Sequence, residues 1–473
     1  MKDFVKYTLA TLCGLFLAGI ALFILGILSI AGMMTMESAA PSIKPQSVLR
    51  LTLNGELQED APNDPLGDLF GSTYPTLSLR EIQTAIQGAK ENPNIDGIYI
   101  EAQTLLGATP AMIRDIRESL ADFKKSGKYI IAYGDNYTQG AYYICSIADS
   151  IILNPQGQVN WCGMASQPIF YKDLLEKIGI KMQVFKVGSY KSAVEPFTAT
   201  QMSDANREQV TSYLNDIWQT MLTDVSRSRS IKKDLLNEYA DSMLTFRPAE
   251  ELVRNGMVDS LCYIDGVSRM LRAKTGKDKG TLPLVSVKEL AAATEATPKK
   301  GDKIAVYYAY GDIVDRKTEW SENVIDAETV CRDLRTLRED ESVKAVVLRV
   351  NSGGGSAYAS EQIWHEVKLL REAKPVVVSM GGMAASGGYY ISCAANYIVA
   401  EPTTLTGSIG IFGLIPDASQ LLSDKLGLHF DVVKTNAHAD FGTLARPFNP
   451  SEAQMMQGYI QRGYKLFTER VAD

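Results

Sequence analysis

The chain repeats itself, and this internal duplication constrains its fold more than any other feature. Five segments of the first half each resemble a segment of the second half, and from the second pair onward the offset stays close to 247 residues. The pairs are 48–57 with 304–314, 95–101 with 343–349, 129–133 with 375–379, 138–155 with 385–402, and 179–187 with 427–435. An offset that holds over this length indicates a tandem duplication, because chance similarities do not keep their spacing.

The apolar pattern within the repeats predicts the fold class. The repeated segments are short apolar runs rich in β-branched residues, which is typical of buried strands. Segments 110–124 and 359–371 carry apolar residues at three- and four-residue spacing, which predicts amphipathic helices. Strand–helix–strand order predicts an α/β fold with mainly parallel sheets flanked by helices. The polar residues 291–303 contain Pro and Gly and are expected to link a domain at 46–290 to a domain at 304–473.

The second half is the shorter one. In the first half a predicted helix at 204–228 is followed by further residues before the linker, whereas the second half ends at Asp473, within the equivalent of that helix. We therefore expect the second repeat to be truncated at its C-terminus.

The N-terminal region is apolar enough to enter a membrane. Residues 7–36 contain no charged side chain, and this run exceeds both the ~20 residues of a spanning helix and the ~7–15 apolar residues of a signal peptide. We predict that residues 1–40 form a cytoplasmic stub and an uncleaved transmembrane anchor, with a cleavage site at residues 38–40 as the alternative. Lys2 and Lys6 precede the run, so the positive-inside rule places the rest of the chain outside the cytoplasm.

Charge and cysteine usage exclude several classes of protein. The net charge is −7 and no basic stripe is present, which argues against nucleic-acid binding. The six cysteines form no CxxC pair and have no metal-ligand spacing, so we expect neither a metal site nor a disulfide framework.

A glycine-rich turn follows a predicted buried strand in the second half. Residues 345–356 read AVVLRVNSGGGS, and glycines at such a turn let backbone N–H groups approach a ligand. The turn suits an oxyanion hole or a phosphate cradle, but it has neither the GK[ST] of a Walker loop nor GxGxxG spacing. A merely flexible connection remains the alternative.

Ser386 is a candidate nucleophile. It lies among small residues in GGMAASGGYY, between a predicted strand and an apolar helical run, so a substrate could reach its hydroxyl. The flanking pattern is not GxSxG, which disfavours an α/β-hydrolase elbow. The alternative is that Ser386 only caps the following helix.

A nucleophilic serine needs a base, and Lys191 is the better candidate. Among the three histidines, His365 lies on an amphipathic helix, His429 in a predicted strand and His438 in the loop that follows it. Lys191 lies among small residues in VGSYKSAVEPF, after a predicted strand. Burial can lower the pKa of a lysine from about 10.4 to a range where the neutral amine accepts a proton. The alternative for Lys191 is an exposed lysine in a loop.

Taken together, these motifs resemble a known family. NSGGGS, MAASGGYYIS and TLTGSIGIFG in the second half, and GSYKSAVEPF in the first, closely resemble the long, duplicated form of the bacterial signal peptide peptidases. The resemblance covers nearly the whole chain after the anchor. It implies two ClpP/crotonase-like domains and a serine endopeptidase that needs no cofactor. It further implies cleavage of apolar remnant signal peptides at the periplasmic side of the bacterial inner membrane.

The resemblance also implies roles for individual residues. Ser386 would be the nucleophile, Lys191 the general base, and Ser408 the hydroxyl that orients the lysine. The N–H groups of Gly387 and of the turn at Gly354 and Gly355 would form the oxyanion hole. One departure is the glycine at position 353, where family members often carry Pro; it loosens the turn but should leave its donors in place.

Each half lacks what the other keeps. Gln139 stands in the first half where the second has Ser386, and Ala439 stands in the second half where the first has Lys191. This predicts a site between the halves and a ring of identical chains, with a homotetramer around an apolar bowl as the expected form. Two rival hypotheses remain, a crotonase-like acyl-CoA enzyme and a catalytically inactive membrane scaffold.

Overall fold

Two α/β units of similar topology follow an N-terminal helix in the computed structural model, which describes residues 2–36, 42–61, 75–276, 281–296, 301–318 and 323–473. The described helices are α1 (Lys2–Met36), α2 (Leu79–Glu91), α3 (Pro110–Lys124), α4 (Gln139–Cys145), α5 (Lys172–Ile178), α6 (Glu195–Thr198), α7 (Asp204–Arg229), α8 (Lys233–Asp241), α9 (Ala249–Arg254), α10 (Ile264–Thr275), α11 (Val287–Glu295), α12 (Ala327–Glu339), α13 (Ala357–Ala373), α14 (Gly387–Ser392) and α15 (Pro450–Ala472). The described strands are β1 (Ser47–Gln58), β2 (Thr76–Ser78), β3 (Ile95–Leu106), β4 (Tyr129–Tyr137), β5 (Ser150–Val159), β6 (Lys181–Lys186), β7 (Ser260–Leu261), β8 (Leu284–Ser286), β9 (Lys303–Tyr310), β10 (Asp312–Val314), β11 (Val324–Asp326), β12 (Val343–Ser352), β13 (Val376–Ala385), β14 (Tyr397–Val399), β15 (Leu405–Gly407) and β16 (Phe412–Asp417).

The two sheets share one strand order. In the first half the order is β2-β1-β3-β4-β5-β7 with β8 also on β1, and in the second it is β14-β13-β12-β9 with β15 also on β13. The strand pairs within these two sheets are parallel. The central strands β1-β3-β4-β5 therefore correspond to β9-β12-β13-β14, and the predicted α/β fold with parallel sheets is confirmed.

Local sequence signals explain where the flanking helices start. Thr109 accepts a hydrogen bond from the Met112 N–H at the start of α3, and Ser356 accepts one from the Ala359 N–H at the start of α13. Such caps satisfy backbone donors that have no partner inside the helix. Each half has its own apolar core, in which buried strand residues such as Ile98 or Leu348 meet one face of these helices. Both predicted helices are present within two residues of their expected bounds.

One antiparallel strand pair crosses between the halves. Strand β6 of the first half pairs with β16 of the second, with Lys186 opposite Phe412 at one end and Lys181 opposite Asp417 at the other. This pairing was not anticipated from the sequence, because a short apolar run does not reveal which distant strand it meets.

Two sequence-based expectations need correction. The segment 427–435, predicted to be a strand like its counterpart in the first half, is irregular and exposed, because it has no partner strand among the described residues. The strand predicted to run into a glycine within 304–314 does end before Gly311, which has a φ of 98° and separates β9 from β10. The proposed linker begins late, since its first residues still belong to α11, and residues 297–300 of it lie outside the described part of the chain.

Helix α1 has the length and composition of a membrane span. An 18-residue window within Lys6–Gly26 has a mean hydropathy of 2.4, and none of that window is buried against the rest of the described chain. The alternative cleavage site at residues 38–40 lies outside the described residues.

Candidate active site

Ser386 occupies a sharp turn between strand β13 and helix α14. Its backbone has φ 51° and ψ −116°, an unfavourable conformation for a residue with a side chain. The conformation is held by the Ser386 N–H, which donates a 2.8 Å hydrogen bond to the Gly407 carbonyl. The side chain makes no capping hydrogen bond to α14, so the interpretation of Ser386 as a simple helix cap is wrong. Its Oγ instead lies 3.1 Å from the Lys191 Nζ.

Lys191 is buried between two serine hydroxyls. Its Nζ lies 3.1 Å from the Oγ of Ser386 and 3.1 Å from the Oγ of Ser408. The residue is only 6% exposed, and among the described residues no carboxylate lies within ion-pair distance of the amine. Burial without a compensating charge lowers the pKa of Lys191 from its ordinary value to about 8. The alternative of an exposed loop lysine is therefore wrong, and the amine is suited to accept a proton near neutral pH.

The strand pair between the halves brings the lysine to the serines. Lys191 follows the end of β6 by five residues, and Ser408 precedes β16 by four. Because β6 and β16 run antiparallel, the segment after β6 and the segment before β16 lie at the same end of the pair. Nζ of Lys191 also lies 5.7 Å from the ring centre of Phe412, the first residue of β16.

The predicted oxyanion turn packs directly on the nucleophile. Gly354 has a φ of 102°, and a Cβ there would lie 2.6 Å from the Gly387 nitrogen and 2.9 Å from the Ser386 Cβ. A side chain at this position is therefore excluded both by backbone conformation and by space. The Ile313 N–H donates to the Gly354 carbonyl at 2.9 Å, which ties the turn to strand β10.

The three predicted oxyanion donors are not equivalent. The Gly354 N–H donates a 3.1 Å hydrogen bond to the Ser352 Oγ, so this donor is already engaged. Gly387 is the first residue of α14, and its N–H has no partner within the helix. Gly355 is the remaining donor of the turn.

The corresponding place in the first half is filled. The Gln139 side chain accepts hydrogen bonds from the backbone N–H groups of Cys162 and Gly163 and donates one to the Gly163 carbonyl. Trp161, which stands where the second half has Ser408, is fully buried. Ala439, the counterpart of Lys191, is exposed in a turn. The structure thus brings Ser386, Lys191 and Ser408 together, and the described residues of the first half contain no comparable arrangement.

The histidines lie elsewhere. His365 and His429 are exposed, and the Nδ1 of His438 lies 3.4 Å from a carboxylate oxygen of Glu452. Within the described ranges, no histidine is hydrogen-bonded to Ser386, and no cluster of three His, Cys, Asp or Glu side chains could hold a metal ion.

Sequence reasoning missed the buried polar residues beneath the turn. Glu59 of the first half reaches Arg349 and Asn351 on strand β12, directly before the glycines. The available signal was a pair of glycines, Gly381 and Gly382, which follow the predicted strand 375–379 and lie inside the observed strand β13, since glycine within a strand often marks the close approach of another part of the chain.

Comparison with known proteins places this geometry in context. The model of peptidase family S49 matches residues 122–277 and 368–473, one segment in each half, and a Clp protease model matches residues 312–404. Protease 4 of Salmonella typhi is 41% identical over 90% of this chain and 71% of its own length, and protease 4 of Haemophilus influenzae is 35% identical over 95% and 75%. A chloroplastic serine protease SPPA of Arabidopsis thaliana is 32% identical over 91% of this chain and 63% of its own. The two S49 segments confirm the tandem repeat, and the Clp match agrees with the ClpP-like fold.

Proposed function

This chain belongs to peptidase family S49 and is a serine peptidase, and we propose that it works through a Ser–Lys dyad in which Ser386 is the nucleophile and Lys191 the general base. The observation that carries the proposal is the buried amine of Lys191, 3.1 Å from the Ser386 Oγ and without a carboxylate partner among the described residues. A buried amine of this kind has a lowered pKa and can be neutral at working pH.

The proposed reaction has two stages. In the first, the neutral Nζ of Lys191 takes the proton of the Ser386 hydroxyl as Oγ attacks the scissile carbonyl carbon. The carbonyl oxygen becomes an oxyanion facing the N–H of Gly387 and the glycine turn. The C–N bond then breaks, and the amine leaves with the proton that Lys191 held. In the second stage Lys191 takes a proton from water as the water oxygen attacks the acyl-serine ester. The ester C–O bond then breaks, Lys191 returns the proton to the Ser386 Oγ, and the acid is released.

Ser408 has a positioning role in this scheme. Its Oγ lies 3.1 Å from the Lys191 Nζ, and it directly follows strand β15, whereas the nucleophile directly follows strand β13. Two hydroxyl contacts fix the direction of a long side chain that would otherwise sample many rotamers.

Paired substitutions test the dyad. Ser386→Ala and Lys191→Met should each lower kcat by at least about a thousandfold, while circular dichroism and gel filtration stay as in the parent protein. A fluorophosphonate probe should label the parent protein at Ser386 and fail to label Ser386→Ala. Activity within tenfold of the parent in either variant would refute the assignment.

The proposed substrates are extended, apolar peptides such as remnant signal peptides. The supporting observations are the family membership, the apolar helix α1 and the exposed apolar side chains Ile409 and Phe412 beside Ser408. A peptide series of constant length with increasing charge should show falling kcat/KM. Equal cleavage of highly charged peptides would contradict this substrate class.

We propose that the chain is anchored in the cytoplasmic membrane of a bacterium with its two repeats on the outer side. Lys2 and Lys6 precede the apolar stretch, and the positive-inside rule keeps such residues in the cytoplasm. Cys162 is exposed and lies outside the helix. A membrane-impermeant maleimide should label Cys162 in intact spheroplasts. Labelling only after lysis would show that the repeats lie on the cytoplasmic side and would contradict the proposal.

We also propose that identical chains assemble into a closed ring, expected to be a tetramer. Within one chain, β6 pairs with β16. The counterpart of β16 is 165–170 and the counterpart of β6 is 429–434, and both segments are exposed and unpaired here. Residues 429–434 of one copy can therefore pair with 165–170 of the next, as β6 does with β16. Apolar side chains such as Ile169 and Val433, which are 65% and 98% exposed, would be covered.

A proline tests this assembly. Val432→Pro removes a backbone donor from the proposed strand and should lower the mass measured by sedimentation in detergent. Labelling of Ser386 should persist, because both dyad residues come from the same chain. An unchanged mass would contradict the proposed pairing.

A further inference from the structure

One side-chain carboxamide bridges the two strands that lead to the glycine turn and to Ser386. Asn351 stands on strand β12, just before Ser352 and the glycines, and its Oδ1 accepts a 3.0 Å hydrogen bond from the Met383 N–H on strand β13. The ladder between β12 and β13 is irregular at this point, since Val350 lies opposite Met380 but Ser352 lies opposite Ala384. The Asn351 side chain bridges this bulge, three residues before the nucleophile on β13.

The other end of that carboxamide is held by the first half of the chain. The Asn351 Nδ2 donates a 3.0 Å hydrogen bond to the Oε1 of Glu59, which follows β1 directly and is 2% exposed. Glu59 also accepts from Arg349, whose Nε lies 3.0 Å from Oε2. The carboxylate of Glu59 thus contacts alternate residues on one face of β12.

The surroundings leave Glu59 little freedom. A Cβ at Gly381 would lie 2.5 Å from the Glu59 Oε1, so a side chain at that position would displace the carboxylate. Arg349 is fixed in turn by a 2.7 Å contact with Asp115 and a 3.1 Å contact with Ser379. A buried, fully hydrogen-bonded network of this kind specifies one geometry.

The duplication argues that this network is more than general packing between halves. The counterparts of Glu59 and Arg349 in the opposite repeats are Asp315 and Glu101, which are both acidic and cannot form the same pair. Each has a partner elsewhere: Asp315 accepts from Ser356, and Glu101 accepts from Arg50. The Glu59–Arg349 pair therefore occurs at the contact between the halves that holds Ser386 and Lys191, and the equivalent residues of the opposite repeats do not form it.

We propose that Glu59 is a positioning residue of the active site. Through Asn351 it sets the distance between the glycine turn and Ser386, so that an oxyanion forms where the N–H donors can reach it. Transition-state stabilisation in the second half then depends on a carboxylate supplied by the first. This inference rests on the proposed role of Ser386 as nucleophile.

The central variant is Glu59→Gln. It keeps the size of the side chain, but a carboxamide has one acceptor oxygen and one NH₂ donor. If the oxygen faces Asn351, the NH₂ group faces the Arg349 Nε, which is also a donor. If the oxygen faces Arg349, Asn351 loses its acceptor. Small misplacements at a reacting centre can cost about a hundredfold. We therefore expect kcat for an apolar peptide to fall about 10- to 100-fold, with KM changed less than threefold. Affinity for a peptide aldehyde, which forms a tetrahedral adduct, should fall by the same factor as kcat.

Two controls separate positioning from loss of charge and from loss of interface contacts. Asp60→Asn removes a carboxylate from the next residue, whose side chain faces Arg80 and Ser78 of the first half. Glu401→Gln removes the ion pair with Arg114, which also joins the two halves. Both variants should keep kcat within twofold of the parent.

A double variant tests the route through Asn351. If Glu59 acts through this residue, Asn351→Ala with Glu59→Gln should be no slower than Asn351→Ala alone. Multiplied losses would overturn the proposal, as would a kcat within twofold in Glu59→Gln. The proposal would also be overturned if a fluorophosphonate titration showed that a smaller number of active sites fully accounts for the lower kcat.

A second route keeps the proposal testable if Glu59→Gln does not fold. Asn351→Ala, which lies within the second half, must then lower kcat per titrated site, and an unchanged value would overturn the proposal.

The failure of the proposed function can be distinguished from the failure of the positioning role. Activity in Ser386→Ala would refute the dyad, whereas an inactive Ser386→Ala together with an unaffected Glu59→Gln would refute the positioning role alone.

Discussion

Burial of the Lys191 amine should lower the free energy of unfolding at neutral pH, and the variant Lys191→Met measures by how much. The pKa of Lys191 falls from 10.5 to about 8 because the residue is buried. The folded-state pKa is the lower one, so the unfolded chain binds more protons between these values, and the free energy of unfolding rises with pH across that window. At pH 7 the protonated amine costs on the order of 3 kcal/mol, at about 1.4 kcal/mol for each pH unit between the two values.

Methionine removes this cost but also removes two hydrogen bonds. The contacts to Ser386 and Ser408 contribute together about 1–2 kcal/mol. Lys191→Met should therefore be about 2 kcal/mol more stable than the parent at pH 7. At pH 10 most of the burial cost has vanished, and the variant should be about 1 kcal/mol less stable.

Urea unfolding at pH 7 and pH 10 measures both values. Lys186→Met is the matched control, because the Lys186 Nζ lies nearby and contacts the Lys191 carbonyl, not either serine hydroxyl; its stability difference should not change sign between the two pH values. Two results would refute the account of a desolvated base: a Lys191→Met protein that is less stable than the parent at pH 7, or a difference in the free energy of unfolding that is the same at both pH values.

Further predictions follow from the same geometry. The kcat/KM of the parent protein should rise with pH to an inflection near 8, because only unprotonated Lys191 can accept a proton; a profile measured from about pH 6 to 10 with its inflection near that of a free histidine would contradict this base. Ser408→Ala should lower kcat about tenfold with little change in KM, and steady-state kinetics in which KM alone changes would exclude an orienting role. Gly354→Ala should lower kcat at least about a hundredfold because its Cβ would press on the Gly387 nitrogen, whereas Gly353→Ala, whose Cβ would meet only the Met383 sulfur at 3.3 Å, should stay active. Dialysis against a chelator should leave the rate unchanged, since the proposed mechanism uses no metal; a loss restored by added metal would contradict it.

The sequence was sufficient to predict the parts of the molecule that are local or repeated. Periodicity predicted helices α3 and α13, and the duplication predicted two sheets of one topology. Small residues around Ser386 and Lys191 made each a candidate, and the family resemblance paired them; the structure brings the two side chains within 3.1 Å of each other. These are properties that a short stretch of chain carries by itself.

The contacts between halves could not be predicted in the same way. Strand β6 looks in sequence like any short strand, and its pairing with β16 depends on where the whole second half lies. Segment 427–435 has the same pattern yet stays irregular here, since pattern without a partner does not make a strand. Glu59 follows a strand end in an unremarkable polar stretch, and only the fold brings it to Asn351.

The crossing of β6 to β16 also orders events during synthesis. The proposed base lies 195 residues before the proposed nucleophile, and at about 5–20 residues per second the ribosome releases Ser386 roughly 10–40 s after Lys191. During that interval β6 has no partner strand, and the chain holds a base with nothing to activate. If Ser386 and Lys191 act as proposed, proteolytic competence arises only when β16 has been made and has paired with β6, and the nascent protein cannot cleave itself or its neighbours while the first repeat is still folding.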